Sequence, residues 1–216
     1  MNEDFFRANE ALHIAPVTDP SFAEYGRLVT EHDMAELSAY LAEVAECPAD
    51  AVRYVPDVED TRDYPAFWEL QDQYFGGMDI QIGYCSGFNL KMDAMEFHRA
   101  SELDIGITDA VLLLARFQDI ENGTLNSARV RGYYLAKGQT VELYSTALHF
   151  APCAVSAEPF LVGVVLPLGT NEALPERKGM LFARGKWLIA HPDAKGLVDS
   201  GAAVAITGEN VAVKLP

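Results

Sequence analysis

The residue types able to do chemistry crowd into one stretch, 92–153. Glu96-Phe97-His98 is followed by Glu102, and a second block runs from Gly138 through Glu142 and Tyr144 to His149. In an extended strand, side chains at i and i+2 share a face. Glu96 and His98 then point one way while Met95 and Phe97 point the other. With Glu102 across the next turn and His149 arriving from a later strand, two imidazoles and two carboxylates can meet. That donor set suits a divalent transition metal (Mn, Zn, Ni, Fe or Co) and leaves positions open for a substrate. Glu142 and Tyr144, also two apart, are the candidate catalytic pair. A carboxylate near a metal without ligating it can shuttle a proton, and a phenol can donate to a developing oxyanion.

The elements that must position these groups change character along the chain. Over 33–46 the spacing predicts an amphipathic helix: Asp33 as N-cap with Glu36 three residues on, Met34, Leu37, Leu41, Val44 and Ala45 at helical spacing, and Pro48 to stop it. Residues 1–30 read as a lead-in with a turn at 18–22. Residues 52–56 form a short strand, and 65–75 a short helix closed by Gly76-Gly77. Its aromatic residues, Tyr64, Phe67, Trp68, Tyr74 and Phe75, read as a helix packed on a sheet rather than a ligand platform.

After Gly77 short strands rich in Val, Ile, Leu and Tyr follow one another, at 78–85, 95–98, 103–114, 129–135, 141–144, 161–166, 180–190 and 202–213. Turns such as Glu121-Asn122-Gly123 and Arg184-Gly185 separate them. The expected architecture is mainly β, an antiparallel sandwich or jelly-roll barrel over 78–216, with a helical extension over 1–77 packed on it.

Composition narrows the partners. The chain has 216 residues, half of them apolar, and a net charge of −16, which predicts a substantial core and poor affinity for nucleic acid or anionic membranes. Three cysteines (Cys47, Cys85, Cys153) form no CxxC pair. The start Met1-Asn2-Glu3-Asp4 lacks a signal peptide's basic and apolar regions. No apolar run approaches the length of a membrane span. A cytoplasmic protein taking a small molecule is the expectation. Cys85 and Cys153 read as small core residues and His191 as a structural histidine. Arg99, next to His98, points away from the site.

The E-x-H-x-x-x-E run at 96–102 resembles the first cupin motif, with Glu96 where the motif's first histidine stands. The second cupin motif is matched in spacing by Gly138, Tyr144, Thr146, His149 and Cys153, of which the Gly and His positions keep their residue types. The segment Ser21-Phe22-Ala23-Glu24-Tyr25-Gly26 is similar to the entry of ureidoglycolate lyases, which are cupins. The runs at 82–87, 142–153 and 186–192 most resemble a bacterial cupin family of unassigned function. The resemblance implies a double-stranded β-helix (jelly-roll) barrel holding a metal at Glu96, His98, Glu102 and His149, and often a homodimer. It implies an isomerase, or next a lyase, acting on a small carbohydrate or hydroxy acid. The alternative is a non-catalytic cupin that binds or senses such a ligand.

Overall fold

The computed structural model describes residues 3–216. The reading of the start as lacking a signal peptide falls partly on Met1 and Asn2, which lie outside the described residues. The chain is mainly β and its strands form several sheets. A six-stranded antiparallel sheet runs in the order Gly26–Val29, Thr140–Leu143, Glu102–Gly106, Phe160–Pro167, Ile80–Gly87, Val52–Val55. A second sheet orders Ala15–Pro16, Arg131–Leu135, Ala110–Arg116 and Ala147–Leu148. A third pairs Lys186–Ala190 with Ala94–His98, Leu181–Ala183 and Ala203–Val204. Among the described residues, pairing does not close these strands into a barrel, so the architecture stands as layered sheets joined by isolated bridges such as Glu96–His149 and Val111–Cys153.

The strand Phe160–Pro167 within the central sheet is apolar on both faces, and period two decides which layer each residue joins. In Phe160–Pro167, Phe160, Val162, Val164 and Leu166 join Leu112, Leu114 and Tyr133 in the core against the second sheet. Leu161 and Val165, between them, face the helical layer with Leu103, Ile105, Leu37 and Leu41. Gly163 lies on that helix-facing side, where an added Cβ would come within 3.1 Å of Leu41 Cδ1 and 3.3 Å of Ile105 Cβ. The helix can therefore lie close to the sheet there.

Helix Ala35–Val44 buries Met34, Leu37 and Leu41, and Asp33 Oδ1 accepts a hydrogen bond from Ala35 N at 2.9 Å. Val44 is exposed, contrary to its expected core place. Helix Pro65–Glu69 continues through Leu70–Tyr74 and ends where Gly76 and Gly77 adopt positive φ. Phe67 is buried while Trp68 faces outward.

Several boundaries differ from expectation. The long strand expected at 103–114 is two, Glu102–Gly106 and Ala110–Arg116, which join different sheets. The 180–190 strand is a hairpin turning at Gly185 (φ 67°). The 202–213 stretch holds only Ala203–Val204 and Ile206–Thr207 before Gly208 turns the chain. The segment read as a helical extension also supplies both edge strands of the six-stranded sheet, Gly26–Val29 and Val52–Val55. Among the described residues no helix is long and apolar enough to cross a membrane.

Candidate metal centre

Three sheets each contribute to one buried cluster. Ala94–His98 brings Glu96 and His98 from the third sheet, and Glu102–Gly106 brings Glu102 and Asp104 from the central sheet. His149 follows the end strand of the second sheet. A reciprocal backbone pair, Glu96 N to His149 O at 2.6 Å and His149 N to Glu96 O at 2.9 Å, fixes two of these elements together.

All five side chains are buried. Glu102 Oε2 lies 3.1 Å from His98 Nε2 and 3.3 Å from His149 Nε2, and Glu96 Oε1 lies 3.7 Å from His98 Nε2. The imidazole centroids are 5.3 Å apart. Glu96, His98 and His149 each offer a donor atom within 4.8 Å of the other two.

The outer nitrogens explain the inner ones. His98 Nδ1 faces Gly185 O at 3.4 Å and His149 Nδ1 faces Ala147 O at 3.1 Å. A carbonyl can only accept, so each Nδ1 is the protonated nitrogen and each Nε2 is turned inward, the arrangement that orients metal-binding histidines. Neither Nε2 has a hydrogen bond of acceptable geometry, though both face Glu102 Oε2, while Glu96 Oε2 meets the Lys186 ammonium; all three atoms are buried. Orphaned buried polar atoms are costly. A shared divalent cation would satisfy them, and the nitrogen–carboxylate set fits one.

Charge is arranged to match. Burial depresses the His98 imidazolium, but the Glu102 and Glu96 carboxylates more than offset it and hold its pKa up at about 9. Burial opposes ionisation of Glu96, yet the ammonium of Lys186, in contact with Glu96 Oε2, and then His98 pull its pKa down to about 2. Glu102, equally buried, is held below the usual carboxylate range by His149 and His98. Asp104 goes the other way: burial and then the neighbouring Glu102 charge push its carboxyl well up.

Glu142 and Tyr144 are not brought to this cluster. Glu142 pairs in register with Leu103, so it shares the helix-facing side with Leu103, while Glu102 and Asp104 face the opposite way. There it accepts from Arg27 Nε at 2.9 Å and Tyr74 Oη at 2.5 Å. Tyr144, two residues on, is half-buried beyond the strand's end and does not line the cavity beside the cluster. The pair expected to be catalytic is therefore not placed at the cluster: the register turns Glu142 to the helix-facing side, and Tyr144 lies beyond the strand's end. Glu142→Gln should leave metal content unchanged while lowering stability on the order of 1–2 kcal/mol, the worth of a charge-assisted bond and a half-exposed ion pair. Urea unfolding alongside elemental analysis checks both halves, and loss of metal would return Glu142 to the site.

Sequence reasoning missed Asp104 and Lys186. Asp104 was signalled by its i+2 spacing from Glu102. Lys186 pairs in register with His98 through a long-range strand pairing that spacing alone does not reveal. Both line a cavity of about 210 Å³ with Glu96, Glu102 and His149. Cys85 also lines this cavity, Cys153 lies in the core, and burial pushes both thiols up. His191 is satisfied, with Nε2 facing Gly208 O and Nδ1 facing Asp193 N. Arg99 lies over the outward Trp187 ring at 4.4 Å.

A family model described as "Domain of unknown function (DUF4867)" matches residues 14–211. None of the curated proteins matches the sequence. Among solved structures, oxalate decarboxylase from Bacillus subtilis at pH 4.6 aligns at 11% identity over 45% of this chain and 23% of that one, with a TM-score of 0.32. A structure of oxalate decarboxylase described by its substrate binding mode gives the same identity and TM-score over 24% of its chain. The chain thus spans about a quarter of the length of these structures, and a likeness this slight does not define its fold.

Proposed function

The chain belongs to the DUF4867 family, whose description names no activity, and we propose from its site that it is a metal-dependent enzyme acting on a small hydroxy acid or carbohydrate, by isomerase or lyase chemistry. The observation that carries this reading is the pair of inward, unpartnered Nε2 atoms, His98 and His149, converging with Glu96 and Glu102 at the end of a cavity. In this reading Glu96, His98, Glu102 and His149 hold the cation. A divalent ion held there supplies Lewis-acid polarisation of a substrate oxygen.

The chain's own residues divide the remaining work. Lys186, beside Glu96 at the cavity floor, orients an anionic oxygen of the substrate. Asp104 lies next to Glu102 on the cavity face and takes Glu142's proposed place as the group that takes and returns a proton. The surrounding sheets exclude water. We also infer a cupin-like ancestry for the fold, supported by the E-x-H-x-x-x-E run and the later histidine meeting from separate sheets. The three unpaired cysteines suit a reducing cytoplasm, and the net charge of −16 suits a small-molecule partner rather than a polyanion.

The test is turnover of a panel of sugars and hydroxy acids by protein loaded with Mn, Zn, Ni, Fe or Co. Asp104→Asn should keep the metal and lose about 100-fold or more in turnover, the usual scale of a general acid–base. A metal-loaded wild type that turns over nothing on the panel, or an Asp104→Asn variant of full activity, contradicts the assignment.

A further inference from the structure

The cavity beside the cluster is sharply divided. Its floor is polar and charged: Glu96, Glu102, Asp104, His149 and Lys186. Its walls are not. Val164 comes from the central sheet, Phe182 and Leu188 from the third sheet, Leu197 from helix Lys195–Asp199, and Phe150 from the turn after His149. Strand register sets the division, because Lys186 lies opposite His98 while Leu188, two residues on and on the same face, lies opposite Glu96. Phe182 is braced from behind by Arg177, whose guanidinium sits 4.2 Å from the ring centroid.

A polyhydroxylated substrate fits this wall poorly. Phe150, Val164, Phe182, Leu188 and Leu197 offer no side-chain donor or acceptor, so each sugar hydroxyl laid on them would lose its water partners without replacement. The polar interruption is Tyr54 with Asn171: Asn171 Nδ2 donates to Tyr54 Oη at 3.0 Å, which leaves the Tyr54 O–H as a donor and the buried Asn171 Oδ1 as an acceptor. Both lie at one point of the wall, where they can serve one hydroxyl rather than the several that a polyol carries. Size agrees with an apolar occupant. A dry cavity of about 150 Å³ holds a benzene ring, and 210 Å³ adds room for a short oxygen-bearing head.

We infer that the substrate is an aryl- or branched-alkyl-substituted 2-hydroxy acid, its carboxylate and hydroxyl at the charged floor by Lys186 and its apolar group against Phe182, Leu188 and Leu197. The inference narrows the proposed function and rests on it for the head group, while the tail rests on the cavity wall alone.

The test is calorimetric titration of the full chain, metal-loaded and chelator-treated, with 3-phenyllactate, glycolate and gluconate. Glycolate has the head without a tail, and gluconate extends the same head as a polyol. 3-Phenyllactate should bind about tenfold or more tighter than either, since it alone buries an apolar ring. Leu197→Gln, on a half-exposed helix, and Phe182→Ser should each move the phenyllactate-to-glycolate ratio toward one. If one variant fails to fold, the other and the wild-type ratios decide. Gluconate binding as tightly as phenyllactate, or no phenyllactate binding in either form, overturns the inference. Elemental analysis reads the metal separately: a chain that takes up no metal yet prefers phenyllactate over gluconate keeps the substrate class and sinks the metal reading alone.

Discussion

Metal content per chain should fall from about one equivalent to near zero in both His98→Ala and His149→Ala. Each substitution removes one of the two neutral nitrogen donors and leaves carboxylates that bind a transition ion weakly on their own. Neither lost imidazole can be replaced by another nearby, because the remaining histidine's outer nitrogen faces a backbone carbonyl, Gly185 O or Ala147 O, and the rest of the cavity lining, among the described residues, holds no further histidine. His98→Ala carries a second cost. It leaves Glu102 and Glu96 buried with one cation fewer, and breaking a buried ion pair from one side costs on the order of 3 kcal/mol. Wild-type protein should in turn lose on the order of 3 kcal/mol on treatment with chelator, the linkage expected when free metal stands about a hundredfold above its dissociation constant. Elemental analysis of protein purified without chelator, with urea unfolding before and after chelation, checks both numbers. Full metal retention by both histidine variants would mean that the ligands lie elsewhere.

What the sequence made legible was local. Period two placed Glu96 with His98 and against Phe97, and the strand Ala94–His98 does split its side chains that way, Phe97 stacking on Trp187 at 5.4 Å outside the cluster. The helix over Ala35–Val44 was equally readable, because its stripe and its Asp33 acceptor are both short-range. Register was not. Whether Glu142 joins Glu102 or turns its back on it depends on a one-residue choice of pairing between distant strands, and Glu142 paired with Leu103 turns away. The same limit hid Lys186, which meets His98 only through the pairing of Lys186–Ala190 with Ala94–His98, nearly ninety positions apart in sequence. The stretch 103–114 misled for a different reason. Only Ile107, Thr108 and Asp109 separate its two halves, a break short enough to be read across as one strand where the chain crosses from one sheet to another.

Stability of the metal-free chain should decline as pH rises from about 6.5 to about 9. His98 carries the argument. Its pKa stands at about 9 in the folded protein against an ordinary 6.5, raised by Glu102 and Glu96 over the opposing effect of burial. The folded state therefore keeps a proton that the unfolded chain releases. The stabilisation is complete below 6.5 and gone above 9, and a shift of this size is worth on the order of 3 kcal/mol. Glu96 and Glu102, both held low, have the opposite linkage. Their contribution is present above their ordinary value of 4.5 and is lost only as pH falls towards about 2, the Glu96 value, outside this window. Asp104, pushed up by burial, adds a decline of the same sign as His98 beginning near its ordinary 3.8. The His98 share is thus read as the difference between wild type and His98→Gln, whose curve should be flatter between 6.5 and 9. A bound cation replaces the His98 proton, so the metal-loaded protein should lack the decline, and metal affinity should rise with pH over the same range. Urea unfolding at half-unit pH steps, with and without metal, measures each curve. A metal-free wild type whose stability is flat or rising from 6.5 to 9 would show that Glu102 and Glu96 do not hold a proton on His98, and the electrostatic account of this cluster would fall with it.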